Sequence, residues 1–181
     1  MVPENLPLID RDLTLDVLSD VHGDGPYRYW FDDEEITQYL EWRTRVTSET
    51  IRDYIAQNNT SDNAVLLGMF LTPERLHIGN IKIGPIDWYH GRGAVGLVIG
   101  DKSRWGQGYG CRAIQLVRHL AFDQLGLHKL YAGSLRQNLG SIKAFEKAGF
   151  EREATLHQHA RLANGQLDDV IMLRTFAQPA D

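Results

Sequence analysis

Cysteine is almost missing from this chain. Cys111 is the single one among 181 residues, so no internal disulfide can brace the fold and a packed core must hold it. One lone thiol also suits a reducing compartment. Long apolar runs are missing too. Nothing approaches the roughly 18 consecutive apolar residues that cross a bilayer. Residues 1–5, MVPEN, lack the basic stretch and apolar run of an export signal. The expectation is a cytoplasmic protein with no membrane partner. Positive charge is in short supply: 19 Lys and Arg stand against 24 Asp and Glu, a formal net charge of -5. A nucleic-acid binder needs a basic face that displaces counterions from phosphates, so no nucleic-acid partner is expected. Repeats, low-complexity tracts and any G-x-x-x-x-G-K-[ST] phosphate loop are absent as well.

What is present is an ordinary globular mixture, 43% hydrophobic and 24% charged, and residues 1–181 read as a single domain. Leu13–Val17 is a candidate strand. Residues 27–40 carry Tyr29, Trp30, Ile36, Tyr39 and Leu40 around an acidic stretch, Asp32 to Glu35, that favours the first turn of a helix. A second helix is predicted over residues 48–58, with Ser48 as cap and Ile51, Tyr54 and Ile55 on one face. The period then changes. Residues 64–71 (AVLLGMFL) form a short apolar run, read as a buried strand. Residues 75–87 alternate, with a shift of parity at Gly79-Asn80 that suggests a bulge. Residues 94–99 make a third strand, and the three read as an antiparallel meander.

The strongest helical pattern covers residues 106–126, where Ala113, Leu116, Val117, Leu120 and Ala121 form an apolar stripe and Gly126 is a stop. A strand at Lys129–Leu135 follows, then a helix over residues 140–148 ended by Gly149. Two strands, 151–163 and 166–175, meet at Asn164-Gly165, a hairpin signal. The strand–helix–strand passage implies one parallel pair. The predicted fold class is α+β, with a mixed, mostly antiparallel sheet of six to seven strands flanked by about four helices.

The informative segment runs from Ile99 to Gly110, IGDKSRWGQGYG, and joins a buried strand to the long helix. Gly106, Gly108 and Gly110 strip side chains from the point where the backbone turns into that helix. Free N–H groups there, at the positive end of the helix dipole, suit an anion such as a pyrophosphate. On its own the segment reads equally well as a tight turn. Its G-x-G-x-G spacing is not that of a dinucleotide-binding strand–helix unit.

About thirty residues on stands a second block, NLGSIKAFEKAGF from Asn138 to Phe150, with GLHKLYAG between the two. Together the blocks resemble the GNAT superfamily of N-acetyltransferases, closest to the branch with the ribosomal-protein alanine and amino-sugar N-acetyltransferases. The resemblance spans roughly residues 8 to 175 and is weakest before Ala64. It implies acetyl-CoA as the cofactor. It also implies that main-chain N–H groups from about Gly106 to Cys111, including Gln107, Gly108, Tyr109 and Gly110, grip its pyrophosphate. Trp105 stands where the family usually has Gln or Arg, and Arg104 beside it offers a charge-assisted contact. Leu97, Val98 and Ile99 would lie along the pantetheine arm, on a strand splayed from Tyr131-Ala132-Gly133, with a main-chain N–H near Val98 or Ile99 serving as oxyanion donor. Asn138 matches the family's cofactor-contacting asparagine, and Ser141 lies one helical turn beyond it. The family's usual general acid, a tyrosine, is Phe145 here. A phenyl ring holds no proton to give, so Ser141, a water or direct transfer must serve; Ser141 reads equally as a helix-cap hydroxyl.

An amine attacks only after losing a proton, so a general base is expected. Glu41, in the loop after the first helix, is one candidate; His157 and His159, sharing a strand face by two-residue spacing, are others. The two histidines lack a third ligand for zinc, and no metal is expected. Cys111 reads as a packing residue. The implied acceptor is a small-molecule amine or a peptide N-terminus. The loop around Glu41, with Arg43 and Arg45, leans toward an amino-sugar nucleotide. Phe145 also motivates a rival reading, an acyl-CoA-binding protein without catalysis. A homodimer is left open.

Overall fold

The computed structural model describes residues 3, 5–40 and 46–178. Eight strands form one sheet in the order β1-β2-β3-β4-β5-β6-β8-β7, where β1 is Leu8–Asp10, β2 Leu13–Val17, β3 Val65–Leu71, β4 Leu76–Asp87, β5 Arg92–Ile99, β6 Lys129–Leu135, β7 Glu151–Arg161 and β8 Leu167–Phe176. Every pairing is antiparallel except β5 with β6. The fold is the expected mixed α+β arrangement, with one strand more than predicted. The extra strand is β1, three residues long and joined to β2 through Arg11 at φ 54. An Asp-Arg-Asp turn carries no glycine or asparagine signal, so the sequence did not mark it.

Helices cover both faces. On one lie α1 (Pro26–Trp30), α2 (Glu34–Thr37) and α3 (Ser48–Asn59); on the other, α4 (Tyr109–His119) and α5 (Leu139–Lys147). The helix expected to begin in the acidic stretch is α2, short and capped by Asp33, which takes an extended backbone and accepts the Glu35 N–H; α1, ahead of it, was not expected. Thr47, not Ser48, caps α3: its hydroxyl accepts the Thr50 N–H, and Ser48 is already helical. β3 is buried throughout because it is packed on both faces, which is why its sequence is an unbroken apolar run.

The bulge in β4 falls one residue before the expected place. Phe70 pairs with His77 and Met69 with Gly79, leaving Ile78 as the extra residue. The long helix starts later than residue 106: Lys102–Arg104 is a 3₁₀ turn, and Gly106 and Gly108 have φ of 74° and 88°, which no right-handed helix accommodates. α4 ends in a π turn, Leu120–Gln124, before Gly126 at φ 65°. The hairpin at Asn164-Gly165 is present, with Gly165 at φ 86°.

The central feature is where pairing stops. β5 and β6 share only three rungs, ending at Ala94 and Tyr131. Beyond them residues 95–99 and 132–135 diverge, leaving two main-chain edges that face each other unpaired.

Candidate active site

That divergence opens a cleft of about 1090 Å³ through the middle of the sheet. Leu97 and Val98 of β5 and Tyr131, Gly133 and Ser134 of β6 form its walls. At one end stand Asn138, Ser141 and Phe145 of the α5 region; at the other, Tyr27, Phe31, Tyr54, Asn80 and Lys82. The β7–β8 hairpin closes a side with Leu156, His159 and Met172. The Ser134 hydroxyl is buried in the wall without a hydrogen-bond partner. An orphan of this kind invites a polar ligand.

The glycine turn lies outside the lining of the cleft, at the start of α4. Gly108 is the helix N-cap and has no side chain to satisfy the first N–H groups, those of Tyr109, Gly110 and Cys111. A Cβ at Gly106 or Gly108 would meet nothing within 4 Å, so these glycines border open space. Gly110 is small for another reason: a Cβ there would press on Leu97 at 3.3 Å and Ile99 at 3.5 Å, so its absence seats α4 on β5. The Trp105 indole N–H donates to the Ile99 carbonyl at 2.8 Å and fastens the turn to β5. Gln107 Nε2 donates to the Ser103 carbonyl within the same turn. Arg104 Nε, buried, pairs with Asp101 Oδ2 at 3.5 Å without forming a hydrogen bond. The Tyr109 hydroxyl donates to Asp12, which Arg112 also contacts, tying α4 to the β1–β2 turn. These bonds hold Asp12 below the usual carboxylate range, Tyr109 contributing most. Burial pushes the Cys111 thiol up, as befits a packing residue.

At the α5 end the cap is Asn138, whose Oδ1 accepts the Ser141 N–H at 3.1 Å. The Ser141 hydroxyl is therefore not the cap. Phe145 is packed edge-on against Phe150, ring centroids 5.0 Å apart. Glu41 lies outside the described residues. His157 and His159 do not share a face. A register shift between Leu156 and Ala160, with Gln158 at φ 49°, breaks the alternation. His157 turns to Asp169 at 3.3 Å, while His159 lines the cleft.

Sequence reasoning missed the cluster around Asn80. Tyr27, Tyr54, Asn80 and Lys82 come from three elements, and only the parity shift at Gly79-Asn80 hinted at a special place. Beneath them His77, 6% exposed, is boxed in by Phe70 and Trp30, both at ring-centroid distances of 4.9 Å. Burial pushes its imidazole down to about 4, so it is neutral at pH 7. Burial raises the Tyr27 and Tyr54 phenols and lowers the Lys82 ammonium. Among the described residues no group of three or more His, Cys, Asp or Glu side chains is arranged to hold a metal ion.

A mixed sheet split between two parallel strands, with a bare helix N-terminus beside the split, is the architecture of a coenzyme A-dependent acyltransferase. Residues 12–151 match the family described as Acetyltransferase (GNAT) domain, and the chain belongs to that family. It is accordingly an enzyme, an N-acetyltransferase, as its relatives are named. It is 28% identical over 168 residues to a Bacillus licheniformis protein named "Uncharacterized N-acetyltransferase p20", covering 91% of this chain and 93% of that one. The fold resembles the ribosomal-protein-S5-alanine acetyltransferase of Vibrio fischeri at a TM-score of 0.84 and 17% identity, covering 95% of this chain and 97% of that one. It also resembles the spermidine N-acetyltransferase of Vibrio cholerae, solved with CoA and spermine, at 0.83 and 18% identity, covering 92% and 96%.

Proposed function

We propose that the chain moves the acetyl group of acetyl-CoA onto the primary amine of a small molecule, the amine attacking the thioester directly. The observation that carries this reading is the end of β5–β6 pairing at Ala94 and Tyr131, which leaves unpaired main-chain edges along the cleft. The residues present fit the cofactor. Amide groups of pantetheine are the natural partners for the parted strands and for the orphaned Ser134 hydroxyl. The open N–H groups after Gly108 suit a diphosphate. When bound, acetyl-CoA would supply the activated acetyl group.

The chain's own part is to hold and align. A main-chain N–H near Val98 or Ile99 would stabilise charge developing on the thioester oxygen. Ser141, freed from capping by Asn138, would give the proton to the departing thiol. Asn138 would fix the helix that presents Ser141 and border the cofactor. Glu41 is retained as the proposed base. The acceptor we favour is an amino-sugar nucleotide, whose diphosphate suits a cleft whose charged lining, among the described residues, is Lys82 and Arg161.

The test is calorimetry with acetyl-CoA, followed by thiol release against amino-sugar nucleotides and alanine-ended peptides. Binding with turnover of the sugar nucleotides is expected. Turnover of peptides alone would remove this acceptor, and no acetyl-CoA binding would remove the whole reading.

A further inference from the structure

β4 sends two side chains from one face into the cleft, Asn80 and Lys82, spaced by two residues as a strand requires. Asn80 is 3% exposed. His77 Nε2 lies 3.1 Å from the Gly79 carbonyl and 2.8 Å from the Asn80 side chain. A carbonyl only accepts, so that nitrogen carries the proton. The Asn80 atom facing it must then be the oxygen, and the amide NH₂ is turned away. This NH₂ has no partner of full hydrogen-bond geometry, its one polar neighbour being the Tyr27 phenol, whose charged form it favours and which also lines the cleft. His77 is thus a positioning residue that fixes which end of the Asn80 amide is available.

Lys82 adds charge on the same side. Its ammonium stands 3.5 Å from the Tyr54 hydroxyl and 5.3 Å from that ring's centroid, and among the described residues it forms no ion pair. No Asp or Glu appears among the described residues that line the cleft. Fixed amide N–H donors next to an ammonium that has no carboxylate partner among the described residues are complementary to a carboxylate or phosphate and hostile to a polycation.

We propose that Asn80 and Lys82, flanked by Tyr27 and Tyr54, form an anion subsite at the acceptor end of the cleft, so that the amine acetylated here bears a carboxylate or phosphate group. The proposal rests on reading this end as the acceptor site.

Calorimetry on the full chain saturated with coenzyme A tests it, using matched amines: β-alanine against propylamine for the carboxylate, glucosamine 6-phosphate against glucosamine for the phosphate, and spermidine as the polycation. At least one anionic member should bind about ten- to a hundredfold tighter than its neutral partner, the range of a charge-assisted hydrogen bond. The arm that responds identifies the anion. Lys82→Gln and Lys82→Met, each checked for an unchanged melting profile, should erase the advantage while leaving coenzyme A affinity intact. Equal binding of both members in both pairs overturns the proposal, as does an advantage that survives both variants, or a preference for spermidine. If coenzyme A itself fails to bind, the transferase reading falls, and the anion preference is read on the free protein.

Discussion

The indole of Trp30 occupies the space a Cβ on Gly100 would need: such an atom would come within 1.8 Å of Trp30 Cδ2. Gly100 follows β5, and its N–H donates to the Ile78 carbonyl at 2.9 Å, so the backbone there cannot easily retreat. Trp30 belongs to the core beneath the proposed acceptor end, whereas Gly100 leads to the turn before α4. One contact therefore joins the two halves of the site.

Gly100→Ala should lower stability by about 1–3 kcal/mol, the usual cost of overpacking, read by urea unfolding. Gly96→Ala is the control. A Cβ there meets nothing within 4 Å, and its effect should stay within about 0.5 kcal/mol. Equal stability of the two variants would mean that the ring does not fill that space.

Gly108 and its surroundings separate backbone strain from ligand exclusion. At φ 88° the position favours glycine, but asparagine tolerates such a backbone. Gly108→Asn should keep acetyl-CoA affinity within a few-fold. Gly108→Glu, which adds an anion beside the bare helix terminus, should weaken it by at least about tenfold, roughly 1.4 kcal/mol, with the fold intact. Unchanged affinity in the Glu variant would count against a diphosphate at this turn.

Most of the sheet was legible because its cause is local. The apolar run of β3 and the alternation of β4 are one-dimensional patterns, and Lys129–Leu135 emerged with its ends correct. The glycine turn into α4 was legible for a similar reason, since it is contiguous in sequence. The proposed acceptor side was not. Tyr27, Tyr54, Asn80 and Lys82 lie far apart in the chain and converge only through packing. The pairing of His157 with His159 failed because a bulge at Gln158 depends on β8, which single-strand periodicity does not register. α1 stands ahead of the acidic stretch and was missed, its N-cap Gly25 offering no side-chain signal.

Asn138 and Ser141 divide structural from chemical roles at the start of α5. Asn138→Ala removes the cap that holds the Ser141 N–H and should cost about 1 kcal/mol of stability. Ser141→Ala leaves the cap in place and should alter stability little. Loss of a proton donor should instead lower kcat by about a hundredfold or more, with KM for acetyl-CoA nearly unchanged. Steady-state kinetics beside thermal melts read both. A Ser141→Ala enzyme with full kcat would pass the proton to water or to the acceptor's own ammonium.

His77 ties stability to pH in a predictable direction. Its imidazole is held down to about 4 by burial, against about 6.5 in an unfolded chain. Below pH 6.5 the unfolded state takes up a proton that the folded state resists until about pH 4. The stability tied to His77 is thus fully present above pH 6.5 and is lost as the pH falls toward 4. The shift corresponds to about 3 kcal/mol. Carboxylates protonate over the same interval, so the comparison is with His77→Gln, which shares them. That variant should be less stable than the wild type at pH 7, and the gap should narrow by about 3 kcal/mol on going to pH 4. Urea unfolding at a series of pH values measures it. A gap that stays constant would mean that the folded ring titrates as it does in the unfolded chain, and one that widens in acid would mean that the fold favours its charged form; either outcome would contradict a neutral ring sealed between Trp30 and Phe70.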